Sequence, residues 1–430
     1  DAAAVKSGRG GLTVVVVNRH PEAPTRCRVS IDGMPAFRGT AKILTGDSLA
    51  SFNSYDCPDD VTPREGSPVS SRGVFDYVCV SGEYERCRYE AERGRLARCR
   101  GAFERRSRDM TPETRSHSSR ERACIATVGS IVMDLAVTTP RVPRTGENIL
   151  ARAFRKGPGG KGANAAAAAA RLGADSHLVG SVGDDDFGRE ELGLLREAGV
   201  DTGGVSIRKD VSTGVAVILV DDNGENTILV ALGANAALTP ENVDLSLGGL
   251  WGRLDAVLVN FEVPEPVVFR VVTEAKERDV PVVLDAGPPR HYRRETWSGA
   301  TIVSPNRLET EYLVGRPVET ETELVAAAKE ILAAGPEAVV IKRGAHGALA
   351  CTREGAASVP AFDAEVVDTT GAGDAFTAAL TVGVAEGMNL EEAVRFGCAA
   401  GAVAVSRFGT MPAMPTRSEV ELFLDRRGTG

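Results

Sequence analysis

From Cys124 onward, short apolar runs alternate with helical segments, and no other feature restricts the fold as tightly. "CIATVGSIVMD" reads as one buried strand, and "SHLVGSVG" as another. "DFGREELGLLREAGV" carries apolar residues at helical spacing. "DAVLVNF", "PVVLDAG", "ATIVS" and "EAVVIKRG" are further strands, separated by "PEPVVFRVVTEAKERD", "NRLETEYLVG" and "ELVAAAKEILAAG" as helices. Two helices, 372–386 and 389–406, are read as closing the chain. Strands apolar throughout, alternating with helices, imply a mostly parallel sheet covered on both faces. The expected fold is therefore α/β, three layers with helices on both faces of the sheet. "ENILARAF" and the hairpin "TGVAVILVDDNGENTILVAL" around Asn223-Gly224 do not fit the alternation. They are expected to form a small β lid, about 147–157 and 212–233.

The first 122 residues have a different texture. They hold 21 Lys+Arg and 17 Asp+Glu, a net of +4, so the chain's −9 leaves −13 for the remainder. Five of the eight cysteines lie there, and only Lys6 and Lys42 among its basic residues are lysines. No apolar period is sustained, and Met110 precedes the first strong strand by thirteen residues. Residues 1–122 are read as an atypical extension, disordered or outside the working protein; a small regulatory domain is the rival reading. The domain proper is placed at 123–430. The net negative charge argues against a nucleic-acid partner. No apolar run approaches membrane-spanning length. The cysteines show neither metal-ligand nor disulfide spacing, and the cytoplasm is the default compartment.

Two glycine-rich stretches carry the chemistry. In "RKGPGGKGANAAAAAARLGAD", Lys161 is followed by Gly162 rather than Ser or Thr, and Arg155 stands where a phosphate loop needs its first glycine. Gly157, Gly159 and Gly162 match a dinucleotide fingerprint, but they do not follow the first strand. What remains is close backbone approach at Gly159 and Gly160, a helix N-terminus near Gly162, a cation at Lys161 and a two-way hydrogen-bonding group at Asn164. An anion or a polyhydroxyl compound suits that set. In "VVDTTGAGDAFTAAL", Gly371, Ala372 and Gly373 open a second helix with Asp374 in its first turn. Small residues leave backbone N–H groups open to an oxyanion, and a carboxylate beside them can accept a hydroxyl proton.

The pair "GGKGANAAAAAARLGA" with "VGDDDFG", followed some 200 residues later by "DTTGAGDAF", resembles the ribokinase family of sugar kinases, also called the PfkB family. The resemblance runs from about 123 to 427. It implies transfer of the γ-phosphoryl of ATP to a sugar hydroxyl, with D-ribose the leading substrate. Fructose, a deoxy-sugar acid or a nucleoside is the near alternative, and a sugar-binding protein without turnover the distant one. Asp374 matches the catalytic base, and Gly371, Ala372 and Gly373 match the anion hole. Asp134, Gly160, Lys161, Gly162, Ala163, Asn164 and Glu262 match sugar-binding positions. Asn306 and Glu309 match the element that organises Mg2+ through water. Lys342, Arg343, Gly344, Ala345, His346 and Gly347 match the loop under the triphosphate, with Cys398 near the adenine. Asp368, Thr370, Ala404, Arg407 and Gly409 match a K+ site. A homodimer through the lid strands is implied as well. The chain departs from the pattern at Val132, where family members acting on ribose usually carry Asn, at Ala165 in place of Gln, and at Ala413 in place of Ser.

Overall fold

The computed structural model describes residues 122–425, Gly224 excepted. The reading of the N-terminal extension lies outside the described residues, apart from its last position. The chain enters a large sheet as β1 (Cys124–Val128). It then leaves for β2 (Val132–Thr138) and β3 (Ala153–Gly159), and α1 (Lys161–Arg171) follows. β4 (Asp175–Gly183), α2 (Asp186–Glu197) and β5 (Asp201–Arg208) return to the sheet. β6 (Gly214–Val220) and β7 (Asn226–Ala231) form the hairpin. α3 (Pro240–Leu247), β8 (Ala256–Asn260), α4 (Glu265–Glu277) and β9 (Val282–Asp285) come next. They lead to α5 (Arg294–Trp297), β10 (Ile302–Ser304), α6 (Arg307–Val314), α7 (Glu321–Ala334) and β11 (Ala338–Lys342). β12 (Ala348–Thr352) and β13 (Ala356–Val359) precede α8 (Ala372–Ala385), α9 (Leu390–Ala404) and α10 (Arg417–Asp425).

The large sheet runs β5-β4-β1-β8-β9-β10-β11-β12-β13. Every pairing from β5 to β11 is parallel; β12 and β13 add antiparallel at the edge. Apolar side chains of α3, α4 and α7 pack on one face. Residues of α1, α8, α9 and α10 cover the other. The three-layer α/β expectation holds. No helix among the described residues is long and apolar enough to cross a membrane.

The alternation also misled at several points. "CIATVGSIVMD" is two strands, because the chain turns at Gly129–Ile131 and β2 joins a second sheet. Gly129 has no room for a side chain: a Cβ there would lie 2.7 Å from the Gly162 Cα. β2 heads the second sheet, ordered β3-β2-β6-β7. The strand expected from 147 begins at Ala153, and it runs on so that Gly157 and Gly159 lie in a strand and not in a loop. β5, α3, α5, the edge hairpin β12–β13 and the closing helix α10 are additions to the elements read above.

The alanine run has a packing reason. Ala165 and Ala168 of α1 meet Ala375 and Ala378 of α8 over Leu258. Side chains this small let two helices approach closely. That approach sets both helix N-termini beside each other at the carboxyl edge of the sheet.

Candidate active site

The parallel strands nearly all end on polar groups. β1 runs into Ser130, β8 into Asn260 and then Glu262, β9 into Asp285, β10 into Ser304 and then Asn306, and β11 into Lys342. Strand order reverses about β1, and ligands in such sheets bind at the carboxyl ends beside that reversal. α1 starts there. Gly160 caps it at φ 91°, where a Cβ would stand 2.8 Å from both the Ser130 carbonyl and the Val132 amide nitrogen. Gly162 lies so close to Gly129 that a Cβ would come within 2.4 Å of its carbonyl carbon. The Ala163 amide donates to Ser130 O at 2.9 Å. This glycine pair, not a ligand, accounts for the tightness of the turn.

Lys161 points into a ring of acids. Its Nζ lies 3.4 Å from Asp374 Oδ1 and 3.7 Å from Asp285 Oδ2. Burial alone would depress its pKa, but Asp285, Asp374, Glu262 and Glu309 outweigh burial and hold the ammonium well above its ordinary value. Asn164 Nδ2 donates to Asp374 Oδ2 at 2.8 Å, while its own Oδ1 is buried without a partner. Burial raises the Asp374 carboxyl, and the Lys161 ammonium limits the rise. Glu262 accepts from Ser130 Oγ and, at 3.3 Å, from the Lys161 amide; burial raises it too. Asp134, on β2, is pushed up to about 7 by burial and by the charges of Glu262 and Asp374.

On the far side of α8's first turn lies a cavity of about 490 Å3. Its wall includes Lys342, Gly344, Ala345, Gly347, Gly373 and Cys398. Thus Gly373 faces the cavity while the next residue, Asp374, meets Lys161 and Asn164. Gly371, which caps α8 at φ 77°, needs its glycine for that backbone angle.

The pfkB family carbohydrate kinase profile matches residues 122–417. The chain belongs to the pfkB family of carbohydrate kinases. By that membership it is an ATP-dependent sugar kinase. A ribokinase of Bacillus subtilis (strain 168) is 38% identical over 300 residues, covering 70% of this chain and 99% of that protein. A deoxyribokinase of Salmonella typhi is 33% identical over 301 residues, covering 70% and 98%. A solved structure of Arabidopsis thaliana ribokinase complexed with ribose and ATP superimposes with a TM-score of 0.66 at 33% identity, covering 70% of this chain and 99% of that one.

The fold of this pfkB kinase brings most of the expected residues together. Asp134, Gly160, Lys161, Gly162, Ala163, Asn164, Glu262 and Asp374 surround the α1 turn. Asn306 caps α6 in a reciprocal box: its Oδ1 accepts from the Glu309 amide at 2.8 Å, and Glu309 Oε2 accepts from the Asn306 amide at 2.7 Å. Glu309 Oε1 faces Gly287 beside the Lys161 side chain. Asp368 accepts from the Thr370 amide at 2.9 Å and the Gly409 amide at 3.0 Å, joining three of the five residues expected around K+. Two loop residues sit apart. Arg343 turns to Glu321, Ser358 and the carbonyls of His346 and Ala348, and His346 is exposed; neither lines the cavity. The Ala372 amide donates to Thr369 O at 3.3 Å.

Three residues absent from the reading above belong to the neighbourhood. Asp285 bridges Lys342 Nζ, at 2.9 Å, and Lys161. Burial opposes its charge, but the two lysines hold its carboxyl below the ordinary range. Asn260 Oδ1 accepts from the Glu262 amide at 3.1 Å. Glu191 of α2 lies buried under Gly159, accepts from its amide at 3.4 Å, and is pushed by burial to about 9. Asp285 and Asn260 carried a readable signal, since each ends an otherwise apolar strand.

Proposed function

We propose that this kinase phosphorylates D-ribose at its primary hydroxyl, giving ribose 5-phosphate and ADP. One observation carries the reading: the Asp374 carboxylate stands between the Lys161–Asn164 turn and the cavity lined by Gly373. Sugar occupies the first side and the nucleotide the second. The hydroxyl oxygen forms a bond to the γ-phosphorus, the bond from that phosphorus to the ADP oxygen breaks, and the hydroxyl proton passes to Asp374. Lys161 and the α8 N-terminus, through the Gly371 and Gly373 amides on either side of the engaged Ala372 amide, stabilise charge on the moving phosphoryl group. Lys342 and the Gly344–Gly347 turn form the nucleotide side. The relatives' names support ribose, and so does the solved plant enzyme's pairing of ribose with ATP.

Four carboxylates (Glu262, Asp285, Glu309, Asp374) face two ammonium groups (Lys161, Lys342), and Asp134 adds its charge beside Glu262 and Asp374. A centre so short of positive charge suits Mg2+, which keeps several waters and takes most protein contact through one or two carboxylates. Glu309 is the carboxylate placed for it, with Asn306 holding that side chain. Asp368, Thr370 and Gly409, with Ala404 and Arg407 on the adjoining chain, offer an oxygen-only set suited to K+.

A second reading, deoxyribose, has Val132 in its favour. Val132 starts β2 on the same pleated face as Asp134. Valine cannot bond a sugar hydroxyl, and one neutral hydrogen bond is worth about 0.5–1.5 kcal/mol. Val132→Asn is therefore expected to raise kcat/KM for ribose over deoxyribose by about 2- to 10-fold. Coupled ADP release over pentoses, hexoses and nucleosides, with and without K+, tests both readings. No turnover with any pentose removes them together.

The second sheet has a mostly apolar outer face: Leu135, Val137, Val217, Leu219, Leu229 and Phe154 share it by register, with Lys156 and Thr227 among them. Phe154 is 63% and Leu229 61% exposed. Such a face fits a second copy of the chain. Sedimentation at micromolar concentration is expected to give a dimer and Leu229→Glu a monomer; a monomeric parent protein refutes the pairing.

A further inference from the structure

At the opposite, amino-terminal edge of the large sheet lies a side-chain cluster that the kinase reaction does not use. Cys124 of β1 is level with Asp175 of β4, and His177, two residues along, is level with Asp201 of β5. The Cys124 sulfur, an Asp175 carboxylate oxygen and a His177 ring nitrogen lie within 4.8 Å of one another. His177 is 8% exposed, and its Nε2 is buried with no hydrogen-bond partner. That nitrogen stands 3.4 Å from Asp175 Oδ2, while Nδ1 stands 3.1 Å from Asp201 Oδ2.

The two ring nitrogens divide the work. With the ring proton on Nδ1, 3.1 Å from Asp201 Oδ2, Nε2 would face the Asp175 carboxylate as a second acceptor. Two acceptors so placed repel unless a cation lies between them. We propose that Cys124, Asp175 and His177 bind a zinc-type divalent metal ion, with Asp201 as the positioning residue for the imidazole. Thiolate, imidazole and carboxylate together select zinc rather than magnesium or calcium. Ordinary zinc bonds at a tetrahedral angle set nitrogen and oxygen ligands about 3.3 Å apart, close to the 3.4 Å found. A carboxylate on the far ring nitrogen is the usual support of a zinc-bound histidine. Asp175 and Asp201 are partly open to solvent, which gives the ion a way in and a water for the fourth position. The Arg253 guanidinium, 2.9 Å from the same Asp175 oxygen, is the competing cation, and its half-exposed side chain has solvent to withdraw into. The metal would tie β1 to β4 and stabilise the folded chain by mass action.

The test uses the full chain, stripped with a chelator and titrated with Co2+. A thiolate-to-cobalt charge-transfer band is expected, displaced by Zn2+ and lost in Cys124→Ser. His177→Gln is expected to weaken Co2+ binding at least 10-fold. Asp201→Asn is expected to keep the band and lower affinity about 10-fold. Arg253→Gln is expected to tighten binding. Zn2+ is expected to raise the Tm of the stripped parent but not of His177→Gln. A band that survives Cys124→Ser belongs to one of the other seven cysteines, and overturns the assignment. So does a parent protein with neither band nor Tm shift.

Discussion

Asp374→Asn is expected to lower kcat by about three orders of magnitude and to change sugar affinity by no more than a few-fold. The substitution keeps the shape of the side chain and an oxygen for the Asn164 amide, which donates at 2.8 Å. It removes the one property the proposed role needs, a basic oxygen that takes up the hydroxyl proton as the phosphorus–oxygen bond forms. Burial raises the Asp374 carboxyl, which makes it a stronger base than an exposed aspartate, and the Lys161 ammonium limits the rise. The sign of the pH effect follows. Below its pKa the base is protonated and idle, so kcat of the parent protein falls on acidification. The asparagine variant has no group to titrate there and should lack that limb. Steady-state rates across pH, with calorimetry for sugar binding, check both points. A variant within 10-fold of the parent rate would take Asp374 out of the chemistry.

Lys161→Met carries the second large effect, and it reads out in stability as well as rate. The methionine fills a similar volume without charge, so the loss is electrostatic. Asp285, Asp374, Glu262 and Glu309 all act on this ammonium. Breaking a buried ion pair from one side costs about 3–5 kcal/mol, because the remaining charge stays buried without compensation. The carboxyls respond by holding protons, so their folded-state pKa values rise above the unfolded value near 4. Such groups favour the folded state below the unfolded pKa, and that advantage is lost as pH rises through the folded pKa. The variant's deficit in urea unfolding should therefore be larger at pH 8 than at pH 5. An equal deficit at both would mean that Lys161 matters for packing rather than charge. Asp134, at about 7, and Glu191, at about 9, give the parent protein a milder trend of the same sign.

Much of this molecule is legible from local pattern. Apolar runs such as "DAVLVNF" and "PVVLDAG" are strands because nothing but a covered parallel sheet buries both of their faces. The alanine run is α1 because alanine favours helix and offers little else. Both glycine stretches open helices, as their composition indicates. Other features escaped. "CIATVGSIVMD" broke in two because Gly129 must yield to Gly162, a contact invisible to periodicity. Gly157 and Gly159 became strand residues because β2 offers them a register opposite Asp134 and Val132. Asp285 was read only as the end of a strand, although it binds two lysines.

The amino-acid order alone determined the layered α/β fold, the two glycine turns and the family. Only the tertiary structure decided the charge balance. Asn164 and Asp374 are 210 positions apart, and their hydrogen bond exists because alanine faces bring α1 against α8. Electrostatic coupling depends on distance and burial, and neither is a property of neighbours along the chain.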